Sequence, residues 1–131
     1  MEECDARGCR MGIAIVEDEK ELVKAYQMIF GRKGIHICFI AYDGHEAVKK
    51  FVECSPRPHV ILIDYRLPIM NGIDAMREIR KINVEVKFIF LSADVDQQEE
   101  AMRAGAYIFI KKPSSILTIV NAVRQAFGAG D

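Results

Sequence analysis

Five short apolar runs in this chain lead into residues that can do chemistry. Glu17 and Asp18 follow the run at 13–16, Asp43 comes after 35–41, and Asp64 after 60–63. Ser92 follows 88–91, and Lys111, Lys112 and Pro113 follow 107–110. If the runs are strands of one parallel sheet, their carboxyl ends share an edge, and ligands of open parallel sheets bind beyond that edge. Three carboxylates, a hydroxyl and an ammonium would then gather in one place. Charges as close as Glu17, Asp18 and Asp64 raise one another's pKa unless a cation sits among them. An all-oxygen set with few carboxylates suits Mg²⁺, which keeps several waters and takes phosphate as a further ligand. A carboxylate can also be a nucleophile and become an aspartyl phosphate. Charge neutralisation around the transferred oxygens would fall to Mg²⁺, Lys112 and the Ser92 hydroxyl. Asp64, at the end of the central run, is the natural acceptor.

The elements that must position these groups are legible in the periodicity. The apolar runs are β-branched or aromatic and mostly continuous, as in strands covered on both faces. Between them lie stripes with helical spacing: Leu22, Tyr26, Ile29 and Phe30; Ala47, Val48, Phe51 and Val52; Ile73, Met76 and Ile79; Ile116, Val120, Val123 and Phe127. From Asp94 to Ala104 the stripe is thin, with Val95, Ala101 and Met102 breaking a polar run, so that helix is the least committed to a core. Gly34 and Gly105 stand where left-handed C-caps would be. Asp43 with Glu46, and Asp18 with Glu21, have capping-box spacing. The alternation βαβαβαβαβα implies an α/β fold: a parallel sheet, right-handed crossovers and helices on both faces.

The chain has 131 residues, one domain's worth. Its net charge of −1 gives no electrostatic footprint for nucleic acid or an anionic membrane surface. No apolar run approaches the roughly 20 residues of a membrane span. Residues 1–10 have neither period nor apolar content and read as a disordered extension, with the folded domain over 11–128 and a tail over 129–131. They carry no signal-peptide pattern. Cys4, Cys9, Cys38 and Cys54 lack zinc-ribbon spacing, so reduced thiols in a cytoplasmic protein are expected. His36, His45 and His59 are dispersed and receive no role.

Taken singly, each candidate has a commoner occupation: Asp18 a helix cap, Ser92 a turn residue, Lys112 a surface lysine, Phe109 a core residue. Their conjunction is what carries weight. Ile15-Val16-Glu17-Asp18, the stretch Ile63-Asp64-Tyr65-Arg66-Leu67-Pro68-Ile69-Met70-Asn71-Gly72, Leu91-Ser92-Ala93, and Gly105-Ala106 through Lys112-Pro113 occur in order and at strand ends. Over Met11 to Phe127 the chain resembles the receiver domain of two-component response regulators. The resemblance implies a flavodoxin-like (βα)5 three-layer sandwich with a five-stranded parallel sheet in the order 2-1-3-4-5.

It also implies roles. Asp64 would accept phosphate from a histidine kinase, a phosphotransfer protein or a small donor such as acetyl phosphate. Asp18, Asp64 and the Arg66 backbone carbonyl would be Mg²⁺ ligands, with Glu17 acting mainly through water. Lys112 would pair with the phosphoryl group ahead of a cis Lys112–Pro113 bond, Ser92 would move toward that group, and Phe109 would be the aromatic switch. Glu stands at position 17 where Asp is commonest, and Phe109 has no hydroxyl, so a switch there works by packing. Arg66 and Asp94 would flank the phosphoryl group, and an Arg–Asp pair across the site would slow dephosphorylation. The output would be a conformation of the 95–127 face read by a downstream protein or output domain, with a homodimer as a further option and no direct nucleic acid or membrane contact. No segment after Phe127 is long enough for a DNA-binding or catalytic output domain, so a stand-alone receiver and a domain of a longer chain both remain open.

Three other readings compete with this one. A haloacid-dehalogenase-like phosphatase also uses an aspartate with Mg²⁺, but expects an acid two residues later, where Arg66 stands. A flavodoxin-like cofactor binder needs a hydroxyl- and glycine-rich loop after the first strand, and Glu17-Asp18-Glu19 would repel phosphate. A pseudo-receiver regulated only by protein contacts would not need the intact set Asp18, Asp64, Ser92 and Lys112.

Overall fold

The continuous apolar runs form strands because only a sheet covered on both faces buries every side chain of such a run. They are β1 (Gly12–Val16), β2 (His36–Ala41), β3 (Val60–Asp64), β4 (Lys87–Ser92) and β5 (Ala106–Lys111). The computed structural model describes residues 12–128 and, before them, a two-residue antiparallel pairing of Cys4–Asp5 with Gly8–Cys9. The expectations of a disordered extension and of a 129–131 tail otherwise lie outside the described residues. Helices α1 (Lys20–Arg32), α2 (Gly44–Glu53), α3 (Gly72–Ile82), α4 (Gln98–Ala104) and α5 (Ile116–Gly128) alternate with the strands, and a single 3₁₀ turn, Val95–Gln97, leads into α4. All pairs within the five-stranded sheet are parallel and the order is β2-β1-β3-β4-β5, the 2-1-3-4-5 arrangement expected.

Strand alternation divides the core into two layers. Ile13, Ile15, Leu62, Ile89 and Leu91 face Tyr26 and Phe30 of α1 and Val120 and Val123 of α5. Ala14, Val16, Ile61, Ile63, Phe88 and Phe90 face Phe51 of α2, Met76 and Ile79 of α3, and Ala101 of α4. Fully burying an Ile or Phe is worth about 2 kcal/mol, so β1, β3 and β4, with nearly every side chain enclosed, fix the frame. β2, at the edge, is only half covered. α4 buries Ala101 alone, as its thin stripe implied.

The ends of the helices follow the cap residues in part. Gly34 (φ 75°) and Gly105 (φ 118°) take the left-handed conformation. Asp43 caps α2 by accepting from the Glu46 N–H at 2.7 Å, while the Glu46 carboxylate reaches back to the Tyr42 N–H rather than to that of Asp43. The expected Asp18–Glu21 box does not form. α1 starts one residue later, with Glu19 at the N-cap position and no side-chain cap.

Candidate functional site

Backbone hydrogen bonds that extend the sheet one residue beyond each strand hold the candidate residues. The Glu17 N–H donates to Ala41 O (3.0 Å), the Tyr65 N–H to Leu91 O (2.8 Å) and the Lys112 N–H to Ser92 O (2.8 Å). The tight packing of α3 on the loop fixes the acceptor strand: any side chain at Gly72 would collide with the Asp64 carbonyl. The edge so formed brings together Glu17, Asp18, Asp64, Arg66 and Lys112 around a cleft of about 320 Å³. Asp64 and Ser92 line a smaller adjoining recess with Tyr65, Arg66 and Lys112.

Charge and burial conflict here. Glu17 and Asp64 are buried, at 2% and 4% exposure, whereas Asp18 is exposed. One oxygen from each of the three carboxylates lies within 4.8 Å of the others. Lys112 is the cation among them: its Nζ donates to Asp64 Oδ1 at 2.9 Å and stands 3.6 Å from Glu17 Oε1. That is not enough for two buried acids. Burial, then the Asp64 charge, pushes Glu17 up to about 7. Burial also raises Asp64, against the pull of Lys112 and of the Arg66 backbone N–H. Glu17 Oε2 accepts from the Glu19 N–H at 3.1 Å, but Oε1 is buried with no hydrogen-bond partner. An orphaned carboxylate oxygen beside two further carboxylates is the environment that a divalent cation satisfies.

The other residues singled out in the sequence fall nearby. Ser92 is buried, and its hydroxyl is engaged with the backbone of Asp94, accepting from the N–H at 3.1 Å and donating to the carbonyl at 3.3 Å. The Asp94 carboxylate caps the 3₁₀ turn by accepting from the Asp96 N–H at 2.8 Å. Among the described residues no ion pair joins Arg66 to Asp94. Arg66 leans over the acidic cleft and Asp94 is committed to the turn. Phe109 is half-buried and stacks on Phe90 with centroids 6.0 Å apart, and Phe90 in turn meets Tyr65 at 6.3 Å. The Lys112–Pro113 bond is cis, as the resemblance implied. Sequence reasoning missed Glu19, which lines the cleft, and Tyr65, which lines the recess. Both stood beside residues already chosen, and only their side-chain directions distinguish them.

The family model for the response regulator receiver domain matches residues 13–124. The chain belongs to that family. This receiver is 36% identical over 115 residues to a chemotaxis protein CheY of Thermotoga maritima, covering 86% of this chain and 94% of that protein. It is 34% identical to a protein-glutamate methylesterase/protein-glutamine glutaminase of Pyrococcus horikoshii, of which it spans only 31%. Among solved structures, the CheX–CheY–BeF3–Mg²⁺ complex of Borrelia burgdorferi superimposes with a TM-score of 0.82 at 30% identity, covering 88% of each chain. The family acts in two-component signalling, as a switch rather than a conventional enzyme. Among the described residues no helix is long and apolar enough to cross a membrane.

Proposed function

We propose that this receiver takes a phosphoryl group on Asp64 from a phosphohistidine of a histidine kinase or phosphotransfer protein, with Mg²⁺ held by Glu17, Asp18, Asp64 and the Arg66 carbonyl. The observation that carries this reading is a buried Asp64 carboxylate, hydrogen-bonded to Lys112, inside an acidic triad with an orphaned oxygen. Asp64 Oδ attacks phosphorus, the donor P–N bond breaks, and the imidazole leaves as the neutral ring, keeping the proton already on its other nitrogen. Mg²⁺, when bound, would neutralise charge on the carboxylates and on the transferred oxygens. Lys112 stays beside the acceptor and follows the new charge from carboxylate to phosphoryl oxygen. The Ser92 hydroxyl lies in the same recess and can reach that group only by leaving Asp94. Leaving Asp94 loosens the turn that this residue caps, which carries the signal toward α4 and the 95–127 face. That face is where we place the downstream partner, a second copy being the other candidate. Self-phosphorylation and autodephosphorylation are then the chain's own limited chemistry.

Intact mass after incubation with acetyl phosphate and Mg²⁺ tests the assignment. The expected result is one phosphoryl group on the wild type and none on Asp64→Ala. Uptake by both proteins would move the acceptor elsewhere, and uptake by neither would favour a receiver regulated by contacts alone. Following the same samples in time reports hydrolysis. Because Arg66 overhangs the cleft without an Asp94 partner, Arg66→Ala should shorten the lifetime several-fold and Asp94→Ala should not act through that pair. An unchanged lifetime in Arg66→Ala removes Arg66 from this role.

A further inference from the structure

β2 is the last strand on its side of the sheet, and an edge strand offers unpaired N–H and C=O groups to any strand that arrives. Successive residues of a strand turn these groups to opposite sides. Ala41 faces β1, because its carbonyl accepts from the Glu17 N–H at 3.0 Å. Ile40, and Tyr42 just past the strand, therefore face outward. Two side chains of α2 occupy the groups they present. Lys50 Nζ donates to the Ile40 carbonyl at 2.6 Å, and Glu46 Oε1 accepts from the Tyr42 N–H at 2.6 Å. The two side chains are also joined to each other, with Lys50 Nζ 3.2 Å from Glu46 Oε2. The Tyr42 N–H is the main cause that holds the Glu46 carboxyl below its ordinary value. An added strand would bring an N–H to the Ile40 carbonyl and a carbonyl to the Tyr42 N–H. The ion pair supplies the same donor and the same acceptor, so it stands where that backbone would lie. Upstream, Ile13 pairs with Ile37 and Ala14 with Phe39, which leaves Cys38 as an extra residue in the ladder. Such a bulge bends an edge strand and interrupts its repeat. The regular stretch resumes at Phe39, and its outward groups at Ile40 and Tyr42 are the ones the pair covers.

We propose that the Glu46–Lys50 pair guards the β2 edge, and that without it a second copy of this chain pairs its own β2 there, antiparallel and about a two-fold axis. The pair is a half-exposed i,i+4 contact, with side chains 38% and 31% exposed, and such contacts contribute little to a helix. Its consequence lies in what it covers. In a monomer without the pair, water satisfies the Ile40 and Tyr42 groups, so the fold survives. In a dimer a strand satisfies them and draws neighbouring apolar surface out of water. The occupant follows from the edge itself. Ile37, Cys38, Phe39 and Ile40 are half-buried and carry no charge, so the edge has nothing to offer a charged partner. A second copy brings the same uncharged edge, and a two-fold pairing closes both edges at once.

Sedimentation equilibrium of the full chain over a range of concentrations reads the outcome, with amide exchange measured beside it. The wild type and Lys50→Arg, which keeps the donor, should stay monomeric. The double variant Glu46→Ala with Lys50→Met should rise toward twice the monomer mass as its concentration increases. Over the same range the outward-facing Ile40 amide should exchange several-fold more slowly, while that of Ala41, facing β1, should not change. The Asp43 cap of α2 uses the Glu46 backbone N–H and is kept in every variant. If a urea midpoint shows the double variant to be poorly folded, Lys50→Met and Glu46→Ala carry the test singly. Each frees one outward group and should associate more than the wild type. A variant that stays monomeric at every concentration would overturn the proposal. So would a dimer whose Ile40 amide exchanges as in the monomer, or one that protects amides of the 95–127 face instead.

Discussion

Lys112 is asked to do two things, and only one of them is done completely. Its ammonium sits 2.9 Å from Asp64 and 3.6 Å from Glu17. It is itself shifted upward, because the two carboxylates and Glu19 outweigh its partial burial. Removing one member of a buried pair leaves the other charge without compensation, which costs more than the pair contributes. Lys112→Ala should therefore lower metal-free stability at neutral pH by about 1–3 kcal/mol. Asp64→Asn in the same background should recover much of that loss, because the charge that lacked a partner has gone. Urea denaturation of the two single variants and the double variant measures the coupling. Strictly additive effects would mean that the 2.9 Å contact carries no energy of its own. The gathering of these groups was readable at this scale because strand ends name their residues: Glu17, Asp64, Ser92 and Lys112 each follow an apolar run. What was not readable was which carboxylate lies deepest. Sequence assigned Glu17 a water-mediated part, and the fold buries it with one oxygen unpartnered.

At the scale of elements, α4 differs from its neighbours in how little holds it. Ala101 is its one buried residue, while Val95 and Met102 stand 50% and 42% exposed. Its approach is a 3₁₀ turn whose cap, Asp94, is tied to the Ser92 hydroxyl by two hydrogen bonds. Segments with few buried apolar contacts open locally at low cost. Amides of residues 95–104 should exchange faster than those of α3 in the metal-free protein. Beryllofluoride with Mg²⁺ should change exchange in 92–104 while leaving α3 alone, and Ser92→Ala should blunt that change. An equal response in α3, or an undiminished one in Ser92→Ala, would detach the turn from the site. The thin stripe between Asp94 and Ala104 announced this weakness, just as Ile73, Met76 and Ile79 announced a firmly seated α3. Two local features escaped the pattern for physical reasons. Asp18 has capping-box spacing to Glu21, yet the neighbouring Glu17 carboxylate takes the Glu19 N–H and α1 begins a residue later. The bulge at Cys38 is a matter of pairing register between strands, which the composition of a single strand does not encode.

Across the whole molecule, the acidic edge is a cost of the fold that depends on pH. Glu17 is pushed up to about 7 from an ordinary value of 4.5, by burial first and the Asp64 charge second. An acid whose pKa is higher in the native state makes that state hold the proton more tightly than the unfolded chain does, so stability falls as pH rises between the two values. Asp64, also raised by burial, acts in the same direction. Lys112, raised, keeps its contribution throughout this window and loses it only in the alkaline range above its ordinary value. Glu46, lowered by the Tyr42 N–H, loses its contribution only toward acid pH. With metal chelated, unfolding free energy should therefore decline from about pH 5 to pH 8, by an amount on the order of 1–3 kcal/mol. Glu17→Gln should flatten the decline and be the more stable protein at pH 8. Added Mg²⁺ should reverse the slope, since binding requires the deprotonated carboxylates and stabilises the native state by mass action. Urea midpoints at three pH values, with EDTA and with Mg²⁺, decide the matter. A profile that rises toward pH 8 under EDTA, or one that Glu17→Gln leaves unaltered, would mean that the buried carboxylates are stabilised by the protein itself and that the site has no need of a cation.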